Sequence, residues 1–212
     1  MKKQRESERV LTEAERRRAA RLSELTAEYE AKGIRVCPLL ISLVRANVVG
    51  PLLMLPLAVL AFLLFVLVSP SGFRVLSGWE LLVFIAAMAA LIVVHELVHG
   101  LTWACFTENG LKSIEFGFIK KYLTPYCTCS EPLKKGQYVL GALMPLLVCG
   151  LLPALIAAIC GSMLLLWLSE VMIFAASGDV MIVGKILTHR SEATETVYLD
   201  HPTEAGLILF ER

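Results

Sequence analysis

The sequence predicts an all-α integral membrane protein with about four transmembrane helices, an amphipathic cytoplasmic helix at the N-terminus and a small β-hairpin in one loop. Three observations carry this expectation. Of the 212 residues, 57% are hydrophobic and 18% are charged, against about 45–50% and about 25% in an ordinary soluble domain. The apolar residues are gathered into runs that match a bilayer core of about 30 Å, which a helix of about 20 residues crosses. Of the 20 Lys+Arg, all but Arg74 fall on one side of a four-span arrangement, and the basic side of such a chain is cytoplasmic. The formal net charge of +1 points to no nucleic-acid partner; the partner it implies is the lipid bilayer.

Taken in order, residues 5–31 are rich in Arg, Glu and Ala and end at Gly33, with Leu11, Ala14, Leu22, Leu25 and Tyr29 as a loose apolar stripe. They read as a solvated helix within a cytoplasmic segment, residues 1–36, too polar to contain the apolar core of a signal peptide. No charged residue lies between Arg45 and Arg74, which places a first span near 48–68, with Pro51 and Pro56 positioned to kink it. The run from Trp79 to Phe106 is broken only by His95, Glu96 and His99 and gives a second span near 80–103. In the loop that follows, Ile114 to Phe118 alternates as a strand does, and Tyr122 to Cys129 is its candidate partner. Such a hairpin can offer an edge to an extended peptide; the plain alternative is an ordinary loop. Residues 136–184 hold only Glu170 and Asp179 as charges. This stretch suits two spans, near 138–160 and 163–185, with Gly161-Ser162 as the turn and Pro145 and Pro153 bending the first of them. The alternative, one span plus a surface helix, scatters the basic residues over both sides. A membrane-embedded unit over 37–188 and a cytoplasmic tail over 189–212 complete the organisation, with both termini cytoplasmic. The six cysteines suggest no disulfide framework.

The residues that carry chemistry are His95-Glu96-Leu97-Val98-His99. Positions four apart on a helix lie one turn apart on one face, so both imidazoles can ligate one Zn²⁺. Glu96, about 100° round the helix, can take a proton from a zinc-activated water; this is the HExxH arrangement of metallopeptidases. A charge near the centre of a membrane helix costs about 2.5–3.5 kcal/mol, so three polar groups in an apolar helix require compensation. A catalytic zinc usually has three protein ligands. Six residues after His99 stands Cys105, not the third His of a metzincin. Glu170 and Asp179 remain, and nine residues apart they point about 180° away from each other on one helix. Asp179 lies at the depth of the histidines, and Glu170 lies about 12 Å nearer the outer interface. Asp179 is therefore the expected third ligand. Cys127 and Cys129 are open between soft metal ligands, a redox pair and a structural role. His201, between Asp200 and Pro202, either folds back to the site or sits in a solvated turn.

The segments HELVHG at 95–100, LTPYCTCSEPL at 123–133, ALMP at 142–145, ASGD at 176–179 and DHP at 200–202 resemble a bacterial integral-membrane family known as "putative zincin peptidase". The resemblance covers most of the chain from about residue 35. It implies a membrane metalloprotease, a hydrolase with HExxH zinc ligands in the bacterial plasma membrane. More distantly, the layout is similar to site-2 proteases, in which a helix-borne HExxH pairs with an Asp on a later span. Those enzymes carry an Asn-containing motif before the Asp span. The asparagines here are Asn47 and Asn109, neither in the third span, so the oxyanion-stabilising role is unassigned. The expected function is hydrolysis of peptide bonds in membrane-associated proteins or peptides, with Glu96 as catalytic base and His95, His99 and Asp179 holding Zn²⁺. The alternative is a non-enzymatic metal-binding membrane protein, a transporter or a pseudo-protease scaffold.

Overall fold

Thr12 opens the first helix. Its side chain accepts from the Glu15 N–H while Glu15 accepts from the Thr12 N–H at 2.8 Å, a reciprocal cap that starts α1 (Glu13–Ala31). The computed structural model describes residues 11–119 and 124–212. The expected helical residues 5–10 and the tip of the expected hairpin at 120–123 lie outside them.

Four apolar helical stretches follow. α2 (Leu43–Val68) contains Pro51 and Pro56. α3 (Gly78–Ala104) starts at a second reciprocal cap, Ser77 with Glu80. α4 (Lys135–Pro145) runs through a π-helical turn at Leu146–Leu151 into α5 (Leu152–Cys160). That turn lies between Pro145 and Pro153, where the chain must rearrange its hydrogen bonds. Gly161, at φ 65°, ends α5 in the left-handed region, and Ser162 caps α6 (Met163–Ala175). α7 (Ser177–Thr188) follows after a break of one residue. Asn47–Val68, Gly78–Ala104 and Lys135–Cys160 are each long and apolar enough to cross a membrane. α6 and α7 form a fourth such unit only as a pair bent by 41°. The straight fourth helix expected from the sequence is thus two helices.

The chain is mostly helical but not all-α. The loop after α3 forms the expected hairpin, β2 (Ile114–Ile119) antiparallel to β3 (Thr124–Cys129). A second sheet was not expected. β1 (Arg35–Leu40), β4 (Leu133–Lys134), β5 (Thr196–Asp200) and β6 (Gly206–Glu211) pair in the order β1-β6-β5-β4. The reason is burial: Leu207, Leu209 and Phe210 are almost fully buried, so the continuous apolar run GLILF is a central strand covered on both faces. One face lies on Trp103, Tyr138 and Ile186, and the other on Leu25 and Tyr29 of α1. Pro38 is tolerated because β1 is an edge strand. The C-terminal stretch 189–212 therefore includes two strands of this sheet.

β1, which precedes α2, pairs with β6, which follows α7, and the Lys185 ammonium of α7 donates to the Leu40 carbonyl. These segments share one end of the helical bundle. At the other end Ser69 donates to the Ala158 carbonyl at 2.7 Å. A Cβ on Gly72 would lie 2.6 Å from the Gly161 carbonyl oxygen, so the turns after α2 and α5 touch. Small residues make the helix contacts between: Ala58 and Ala61 of α2 and Ala154, Ala157 and Ala158 of α5 are all buried, which lets the two backbones approach closely.

Candidate metal centre

His95 and His99 lie one turn apart on α3 and are 6% and 4% exposed, with ring centroids 4.9 Å apart. Asp179 stands in the first turn of α7, where the partial positive charge of a helix N-terminus favours a carboxylate. The break between α6 and α7 sets its position, and close contact with α2 holds it: a Cβ on Gly50 would meet Ser177 at 2.9 Å. His95 Nε2 is 3.2 Å from Asp179 Oδ2, and His99 Nε2 is 3.4 Å from Oδ1. One ligand atom from each of the three residues falls within 4.8 Å of the others.

The donor chemistry tests whether this cluster fits a metal. His99 Nδ1 donates to the Gly141 carbonyl at 2.8 Å, so in the neutral ring Nε2 carries a lone pair and faces a carboxylate oxygen. Two acceptors in contact repel unless a proton or a cation lies between them. The two imidazole Nε2 atoms each face one oxygen of the same carboxylate, so all three side chains can turn a donor atom towards a shared cation, two nitrogens and an oxygen being a donor set that zinc accepts. The hydrogen bond to Gly141 is the orienting contact that metal-ligating histidines usually have. The three residues fit a zinc ion.

A chain of buried contacts supports His99 from behind. Trp103, one turn further along α3, stacks on it at 5.1 Å with planes 16° apart. The Trp103 indole N–H donates to the Tyr138 carbonyl at 3.2 Å. The Tyr138 hydroxyl donates to Asp200 Oδ1 at 2.5 Å, and the Cys129 N–H donates to Oδ2 at 2.8 Å. Burial pushes the Asp200 carboxyl above its ordinary range, and these two donors oppose the shift. Gly141 must lack a side chain, because a Cβ there would lie 2.1 Å from the Trp103 nitrogen. Asp200 was visible in the sequence only as part of the DHP segment, without a role; Trp103 and Gly141 carried no signal.

Glu96 is partly buried, with both histidines and Asp179 as its charged neighbours and the Cys127 backbone N–H as a donor. That N–H belongs to β3, which α3 meets at Gly100. A Cβ at Gly100 would lie 2.7 Å from the Phe116 ring and 3.2 Å from Cys127 Sγ, so glycine at this point lets the hairpin close onto the helix. Glu170 is not in the cluster; it is buried on α6, and its Oε1 has no hydrogen-bond partner among the described residues. Neither Cys127 nor Cys129 joins the cluster. Burial pushes the Cys127 thiol well up and the Cys129 thiol up to about 12, so both stay protonated near neutral pH. His201 is held in a turn, its Nδ1 accepting from the Glu204 N–H at 2.9 Å and the Thr203 N–H at 3.3 Å.

Comparison with known proteins gives one result. Residues 88–194 match the profile of the family described as "Putative zincin peptidase". No curated protein matches the chain, and no solved structure does. The match spans half of the chain and contains the two histidines, Glu96 and Asp179. The chain belongs to the putative zincin peptidase family.

Proposed function

We propose that the protein is a membrane-embedded zinc metalloprotease that hydrolyses peptide bonds in membrane-associated proteins or peptides. The observation that carries this reading is the convergence of His95, His99 and Asp179 from two separate helices beside Glu96. A metal-storage or structural site has no use for that fourth, proton-accepting carboxylate. Apolar side chains cover the outward faces of α2 and α3, with Leu52, Leu60, Leu67, Leu82 and Ile85 among the exposed ones. Hydrocarbon solvates such a surface better than water does. On the basic-residue count, the end carrying β1 and β6 faces the cytoplasm, in a bacterial plasma membrane, with both termini on that side.

A zinc ion held by His95, His99 and Asp179 would polarise the scissile carbonyl and lower the pKa of water towards about 7. Glu96 takes one proton from the attacking water and delivers it to the leaving amine, so the base is regenerated in each cycle. Gly141 holds His99 in the tautomer whose Nε2 is free, and Trp103 fixes the ring plane.

The test is Glu96→Gln. The variant should keep about one zinc per chain, as a single three-ligand site holds, and should lose turnover. Membrane proteomes of cells expressing wild type and variant should differ in uncleaved substrates. Identical proteomes, with zinc present in both, would favour a non-enzymatic metal protein.

A further inference from the structure

The β2–β3 hairpin has two faces with different work. Ile114, Phe116 and Cys127 approach Gly100 on α3. Glu115, Tyr126 and Thr128, on the alternate positions, point the other way, towards α1. There Arg18, with its side chain 11% exposed, donates to Glu115 Oε2 at 3.3 Å, to the Tyr126 hydroxyl at 3.1 Å and to the Pro202 carbonyl at 3.2 Å. Between this face and α1 lies a cleft of about 610 Å³, lined by Arg17, Arg18, Arg21, Thr128, Ser130 and Asp200 among others.

Two groups in this cleft lack partners among the described residues. The Arg18 Nε–H and the Thr128 hydroxyl are both buried and make no hydrogen bond. A buried donor left without a partner is costly, the more so when it carries charge. Both can donate, and a guanidinium is matched best by a planar oxyanion. Arg17 and Arg21, one turn apart on the exposed face of α1, add positive charge at the rim. The acidic groups of the cleft do not cancel it. Glu115 is taken by Arg18, and both oxygens of Asp200 are already engaged. Arg21 pairs with Glu24 along α1 at 3.7 Å, which leaves Arg17 as the guanidinium of the cleft without an ion pair among the described residues; a single such charge suits a carboxylate and disfavours a phosphate dianion. α1 is polar over most of its surface, so the cleft opens to water, not to lipid.

We infer that this cleft binds an acidic side chain of a polypeptide, holding an acidic segment on the back of the hairpin whose front meets the HExxH helix. The binding claim stands on the cleft alone; the assignment of that polypeptide as substrate rests on the proteolytic reading above. The test uses full-length, zinc-loaded Glu96→Gln protein in detergent and a fluorescein-labelled peptide of alternating Gly and Glu, with a Gly–Gln peptide as control. At about 150 mM salt, where exposed long-range attraction is largely screened, the Glu peptide should bind at least about tenfold tighter than the Gln peptide. The double variant Arg17→Ala/Arg21→Ala, which removes two exposed side chains and leaves the Arg18 contacts intact, should weaken binding by about tenfold or more, equivalent to about 1.4 kcal/mol. Thr128→Val should weaken it by a smaller factor. Lys112→Ala/Lys134→Ala, removing the same charge elsewhere, should leave it unchanged. Equal affinity for the two peptides, or equal loss in the lysine control, overturns the proposal. So does competition by phosphatidylglycerol vesicles in preference to free glutamate peptide, which would make the cleft a lipid-headgroup site. Because no turnover is read, failure of binding leaves the metal-centre assignment standing, and failure of proteolysis leaves the cleft standing.

Discussion

Gly141→Ala tests the support of the metal centre without touching a ligand. A Cβ at this position would lie 2.1 Å from the Trp103 indole nitrogen and 2.2 Å from Cδ1. Ordinary contact begins at about 3.4–3.5 Å, so the indole must retreat by about 1.3 Å. Its hydrogen bond to the Tyr138 carbonyl is already 3.2 Å long and would not survive such a shift. His99 is stacked on that indole, so the ring loses the neighbour that fixes its plane, while its bond to the residue 141 carbonyl is left as the one remaining support. Disturbing an orienting contact of this kind typically costs 10–100-fold in metal affinity, about 1.4–2.8 kcal/mol, and overpacking a core costs about 1–3 kcal/mol of stability. Zinc affinity is measured by competition with a chromophoric chelator, and stability by thermal unfolding in the same detergent. Adding Trp103→Leu to Gly141→Ala removes the clash, so the pair should be less damaging than the sum of the two single changes. Wild-type zinc affinity in Gly141→Ala, or strict additivity in the pair, would refute the argument that His99 is held through Trp103 and Gly141.

Asp179→Asn should lower zinc content to that of His95→Ala or His99→Ala, while Glu170→Gln should keep it; metal analysis of purified protein decides, and the reverse pattern would move the ligand to α6. Tags at residues 1 and 212 should report the same side of the membrane and a tag at Gly72 the opposite side, with opposite termini ruling out four spans. At the sheet, Glu211 Oε1 accepts from His189 at 2.6 Å, and that bond holds the Glu211 carboxyl below its ordinary value of 4.5. A carboxyl with a lowered folded pKa stabilises the fold above its unfolded pKa and loses this as pH falls through the folded one. Unfolding curves between about pH 6 and 3 should therefore show a shallower acid loss in Glu211→Gln than in wild type.

The sequence made the helices legible because apolar run length is a local property. The hairpin was legible because Ile114 to Phe118 alternates, and Gly161-Ser162 was legible as a turn from its residue types alone. The four-stranded sheet was not, because its strands come from three distant segments, β4 is two residues long and β1 contains Pro38. The run Gly206 to Phe210 was the available clue: five residues with almost no polarity cannot be a solvated tail. The break at Ala176 was hidden because Ala-Ser-Gly is only weakly unfavourable to a helix. Depth along a presumed straight helix pointed to Asp179, whereas in the structure a bend, which the sequence does not announce, brings that residue to the histidines. The Trp103–Tyr138–Asp200 chain is a matter of packing across three elements, and no spacing in the sequence encodes it.

The pairing of β1 with β6 has a consequence for biogenesis. All the apolar helices lie between the first strand and its partner, so the sheet cannot close until that whole stretch has left the ribosome. Asp179 likewise emerges long after the two histidines. A nascent or truncated chain has the HExxH helix but neither the third ligand nor the sheet that backs Tyr138. Completion of the candidate metal centre is thus deferred by the order of translation itself.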